Sequence, residues 1–245
     1  MRFSAPAGRS ALSAGALLQA GVDFRQVYLA VVIPLGVVLL SMVATRFPQQ
    51  ESAPLSADSG PYDLFKSLPL LLVAAVATLS LLSEGEMEHW SGIYLRENVG
   101  LPALLGSSGV AVFYGAMAVG RLGSAAAVAR FGDRNTLLGA GALVAAGMSL
   151  ALATLNPGVI IVGFLMVGLA LSAIVPVAFS VAGDLAPGRA GSAVSVVTTF
   201  GYGGFLLGPV IVGGLAEIFG LRLALGAIAV AGVLVCTLSL RLNRR

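Results

Sequence analysis

Between Val159 and Ala182 the chain carries no charged residue and no alternation of polar and apolar positions. A run of roughly 20 apolar residues is long enough to cross the hydrocarbon of a bilayer as a helix. The backbone of such a run must satisfy its own N–H and C=O groups, and within one segment only a helix does so. A membrane β-barrel needs short segments of alternating polarity instead. The rest of the chain agrees: 58% of residues are hydrophobic and 10% charged, where a soluble domain carries about a quarter charged. So little charge cannot cover a water-facing surface, and the expected fold is an all-α integral membrane protein.

About seven spans can be marked. Residues 1–26 are weakly apolar, and Arg9 interrupts what would be the core of a signal peptide. They read as an extramembrane tail or the remnant of a helix missing from the chain. Residues 27–46 form the first span, kinked at Pro34 and closed by Arg46, and 47–66 form a polar linker with three prolines. The region 67–240 holds six more spans: Ser67–Ser83, its helix continuing to about Leu95, then Leu104–Ala129, Thr136–Leu155, Gly158–Ala182, Gly191–Glu217 and Leu221–Leu240. Asn156-Pro157 and Gly183–Arg189 are short turns. Residues 241–245 form the tail.

Arginine placement orients these spans. With the C-terminus in the cytoplasm, that side collects Arg46, Lys66, Arg130, Arg134, Arg189, Arg241, Arg244 and Arg245, the bias expected of cytoplasmic loops. An odd number of spans then exports the arginine-bearing N-terminal tail, which again points to a missing preceding helix.

The stretch Gly115–Gly141 is an apolar hairpin with Arg121 inside its first arm and the turn Arg130-Phe-Gly-Asp-Arg134 at its tip. Phe131-Gly-Asp-Arg134-x-x-Leu137 recurs as Phe219-Gly-Leu-Arg222-x-x-Leu225. Three spans separate the copies, so the two units face opposite ways, the pattern of inverted three-helix repeats in transporters.

At these residues the chain resembles the major facilitator superfamily (MFS). That family has twelve helices in two halves, with a loop motif close to G-x-L-A-D-R-x-G-R-R after the second helix of each half. Gly120-Arg-Leu followed by Ala129-Arg-Phe-Gly-Asp-Arg134 matches it, with Ala129 where the family has an acid. Gly204-Phe-Leu-Leu-Gly208-Pro209 resembles the family's glycine-proline helix. The resemblance implies that 27–46 is the family's sixth helix, 47–66 its central loop and 67–240 its C-terminal half. It also implies a multi-pass protein of the bacterial inner membrane that moves a small solute, with proton coupling as one option. The missing N-terminal half, or a second copy, is then expected as partner. The turn residues Gly120, Arg130, Gly132, Asp133 and Arg134 become elements of a cytoplasmic gate, which Asp184 and Arg189 would join, Asp184 pairing with Arg130 or Arg134.

Other residues are singled out by their chemistry. Arg121 lies about nine residues before Arg130, roughly 13 Å into the span. A charge that deep lines a solute path or snorkels to the headgroups. Glu84 falls near the far interface and is a candidate for carrying a coupling proton, whereas Glu86 and Glu88 read as a solvated helix end. His89, Trp90 and Tyr94 read as interfacial residues. Gly201, Gly203, Gly204 and Gly208 read as close-packing positions, with Pro209 beside them, and Thr199 and Tyr202 as candidate solute contacts.

Some classes are excluded. One histidine and one cysteine do not make a metal site or a nucleophile–base pair within the spans. The basic residues form no nucleic-acid stripe, and there is no phosphate loop for ATP. No cofactor or metal is expected. A non-transporting half-transporter or sensor remains the alternative, and a membrane-embedded enzyme a weaker one.

Overall fold

The computed structural model describes residues 61–242 and scattered helical positions from Leu29 to Ser41. The tail 1–26, most of the span 27–46, the linker up to residue 60, and Arg244 and Arg245 lie outside the described residues. A 3-10 turn, Pro61–Lys66, precedes helices α1 (Leu68–Glu97), α2 (Ala103–Gly106), α3 (Ser108–Ala153), α4 (Pro157–Leu185), α5 (Ala190–Phe219), α6 (Leu221–Ala224) and α7 (Gly226–Ser239). Among the described residues there is no strand. Among the described residues, five stretches are long and apolar enough to cross a membrane: α1, α3, α4, α5 and the pair α6–α7.

Helix α3 has 46 residues, about 69 Å at 1.5 Å per residue, more than twice the hydrocarbon thickness. It is divided by one residue, Gly132, with φ 76° and ψ 165°. The charged turn expected between two spans is therefore a single left-handed glycine, a backbone state that glycine adopts without steric cost. Its arms are α3a (108–131) and α3b (133–153). Gly168 of α4 faces Phe113 and Ala116, and further along Gly120 of α3a faces Leu169 and Ser172, so α3a and α4 run parallel. Gly147 faces Gly163 and Met166, and Gly163 faces Ala151, so α3b and α4 run antiparallel. The arms of α3 therefore run in opposite directions.

Helix starts follow local chemistry. Asn156 caps α4, accepting from the N–H of Gly158 (2.9 Å) and of Val159 (3.4 Å), with Pro157 at the first helical position. Asp184, expected in a loop, belongs to the last turn of α4.

Lipid gives helices no hydrophobic reason to associate, so close approach of small residues does that work. In the parallel seam of α1 with α5, Gly201 meets Leu81, Gly204 meets the Thr78 carbonyl, and Gly208 meets the Leu82 carbonyl. Pro209 removes an N–H from the ladder of α5 and so frees the Phe205 carbonyl, which lies against Gly85. Phe113, Phe164, Tyr94, Met148 and Leu225 lead the central core.

The repeat is visible in three dimensions. Gly220 ends α5 with φ 79° and ψ 153°, nearly the conformation of Gly132. Gly120 and Gly208, separated by the same offset as the two turns, each line a parallel glycine seam. Two inverted three-helix units make up the described bundle.

Candidate functional site

Arg121 sits on α3a, exposed between Val119 (65% exposed) and Leu122 (87%). Its Nη2 lies 3.4 Å from the Met117 sulfur, a weak acceptor. This stretch of α3a has little protein around it. Thr199 and Tyr202, one turn apart on α5, are also exposed. Arg121 and this pair stand on different seams, α3a on α4 and α5 on α1.

The acidic run on α1 departs from expectation. Glu86 is fully buried, not the solvated helix end its sequence neighbourhood suggests. Its side-chain stem fills a notch left by Gly208: a Cβ there would stand 3.2 Å from Glu86 Cγ. Neither carboxyl oxygen has a hydrogen-bond partner among the described residues. Glu84 and Glu88 are half-buried, and Glu88 accepts a 2.6 Å bond from the Tyr114 hydroxyl across to α3a. His89 is exposed, with Nδ1 2.8 Å from the Gly85 carbonyl, so that nitrogen carries the proton.

Two residues expected at the interface also lie inside the bundle. Tyr94 is fully buried. Trp90 donates from Nε1 to the Pro209 carbonyl (3.1 Å) and packs on Gly213, fixing α5 at its proline rather than anchoring in headgroups. The buried side-chain polar atoms that lack a partner among the described residues are both Glu86 oxygens, Ser91 Oγ and the Tyr94 hydroxyl. All belong to one stretch of α1. The buried hydroxyls of Ser83, Thr136, Ser172 and Ser239 instead close on carbonyls of their own helices.

The turn residues divide between two environments. Asp133, Arg134, Asp184 and Arg241 line a cavity of about 280 Å³ at one end of the bundle, walled by apolar residues such as Leu72 and Val181. Arg130 lies outside that lining, its guanidinium 5.6 Å from the ring centre of Phe131. Arg189 is half-buried beside Gly188, whose φ is 78°. Arg134 donates to the carbonyls of Ser239 and Leu240, each at 3.3 Å. Arg222, its mate in the repeat, donates to the Leu152 carbonyl from Nε (2.9 Å) and Nη2 (2.6 Å).

Inverted three-helix units of this kind are an architecture found in membrane transporters. The sequence profile of the Major Facilitator Superfamily matches residues 90–245, and the chain belongs to that superfamily. It is 33% identical over 170 residues to an uncharacterised MFS-type transporter of Yersinia pestis, covering 69% of this chain and 44% of that protein. It is 31% identical over 179 residues to the membrane protein MosC of Rhizobium meliloti, covering 73% and 44%. The chain thus spans less than half the length of these relatives. A crystal structure of a peptide transporter, POT, in complex with alafosfalin shares the fold, with TM-score 0.61 and 20% identity over 77% of this chain and 40% of that one.

Proposed function

We propose that the chain is one half of a proton-coupled secondary transporter that moves a small solute across the bacterial inner membrane, with its C-terminus in the cytoplasm. The observation that carries this reading is Glu86, a carboxyl fully buried in an apolar span with no partner among the described residues. A carboxyl buried in protein without a partner is costly and marks a candidate functional position. Glu86 therefore takes the coupling role expected of Glu84. Arg121, Thr199 and Tyr202 line the solute path from two helices, because a charge roughly 13 Å inside a span needs a polar cavity or a partner. Asp184 and Arg134, which share a cavity, gate the cytoplasmic end. The length of the relatives supports a second six-helix unit as partner.

Proteoliposomes with an internal pH dye, challenged with candidate solutes, test the reading. Solute addition should drive proton entry. Glu86→Gln should abolish proton entry while leaving solute exchange at equal concentrations intact. Full proton-coupled uptake by Glu86→Gln rules out this residue. Failure of every solute to move protons or itself, with the second half supplied, favours a non-transporting sensor.

A further inference from the structure

Arg134 and Arg222 each stand in the first turn after a left-handed glycine, at the start of α3b and of α6. That is the wrong place for a cation. A helix N-terminus carries a partial positive charge, which repels it, and the matching negative end is at the C-terminus. Both arginines reach past their own helix. Arg134 donates to the carbonyls of Ser239, the last residue of α7, and of Leu240, its cap. Arg222 donates twice to Leu152, near the end of α3b. Each arginine therefore supplies donors to carbonyls at a helix end, although Ser239 also accepts the Leu242 N–H at 3.2 Å, and the helix end it closes belongs to the other repeat.

Between these ends the two helices touch backbone to backbone. A Cβ on Gly141 would stand 2.7 Å from the Gly232 carbonyl oxygen, and one on Gly232 would stand 2.7 Å from the Gly141 oxygen. The Cys236 thiol donates to the Leu138 carbonyl at 3.3 Å. From Arg134 with Leu240, through Gly141 with Gly232, to Leu152 with Arg222, the contacts keep one antiparallel register. Sliding by one helical turn would drive a side chain into each glycine contact and break both arginine closures together.

We propose that α3b and α6–α7 form a strut pinned at both ends by exchanged arginines, which stays closed while other seams of the bundle move. Arg134 then serves first as a helix-end clasp, and the recurring Phe-Gly-x-Arg turn is a structural unit used twice in opposite senses.

Hydrogen exchange on the intact chain in lipid nanodiscs tests the crossing. Arg134→Ala should raise exchange about tenfold at residues 237–242, far from its own turn in sequence. Arg222→Ala should do the same at 150–155. Arg→Lys variants should recover part of the protection, because an ammonium lacks the planar fork. They also decide the matter if an alanine variant does not fold. Faster exchange confined to the mutated turn itself overturns the proposal. A second measurement uses Leu138→Cys with native Cys236, whose Sγ lies 3.3 Å from the Leu138 carbonyl oxygen. With an added copper oxidant and both faces of the membrane held at pH 8, so that the thiolate fraction is constant, disulfide yield should stay the same with or without an imposed membrane potential. A severalfold change in yield shows that the pair parts, and the strut is then wrong.

Discussion

Replacing Gly208 by alanine tests how the membrane-embedded carboxyl is housed. The new Cβ would stand 2.5 Å from the Leu82 carbonyl oxygen and 3.2 Å from Glu86 Cγ. Ordinary contact begins near 3.4 Å, so α1 and α5 must part by roughly 0.9 Å at this level, or Glu86 must leave its notch. Overpacking of this size costs about 1–3 kcal/mol, which lowers the melting temperature by roughly 2–12 °C for a chain of this length. Gly203 supplies the control on the same helix, since a Cβ there meets nothing within 4 Å. Gly203→Ala should be neutral or stabilise by up to about 1 kcal/mol through helix propensity. Thermal unfolding in detergent, followed by a thiol-reactive dye on Cys236, the only cysteine, reads both variants. Equal melting temperatures for the two refute the notch.

Other consequences are as specific. Gly132→Ala and Gly220→Ala each force a side chain into a positive-φ, extended-ψ backbone that only glycine adopts readily and should each cost about 1–3 kcal/mol, by similar amounts if the turns are true repeats; the same dye assay compares them. Tyr114→Phe removes the 2.6 Å bond to Glu88 that ties α3a to α1. It should cost about 1.5–3 kcal/mol, seen as a lower unfolding midpoint.

Much of the fold was legible in the sequence because charge is so scarce. Six apolar runs between 67 and 240 and the turns at Asn156 and Gly220 follow from where polar residues interrupt hydrocarbon-length stretches. The repeat was legible because its turns carry the same glycine and arginine. The surroundings of each side chain were not. Helices in lipid are apolar all round, so periodicity does not mark which face meets protein. Glu86 lies between Glu84 and Glu88 in sequence, and only Gly208 on a helix more than a hundred residues later makes room to bury it. Trp90 and Tyr94 looked interfacial for the same reason: depth along a helix can be counted, but which neighbour covers a residue cannot. The reach of Arg134 to Leu240 depends on two helices lying side by side, which no local pattern encodes.

The single-residue reversal at Gly132 leaves no slack between the arms of α3. In a bilayer thinner or thicker than the spans prefer, separately tethered helices tilt independently. Here the depth of one arm fixes the depth of the other at their shared tip. Any adjustment to bilayer thickness therefore falls on the two arms jointly, or on their far ends at Ser108 and Ala153. Lipid composition then becomes a mechanical input to the face of the bundle that carries Arg121.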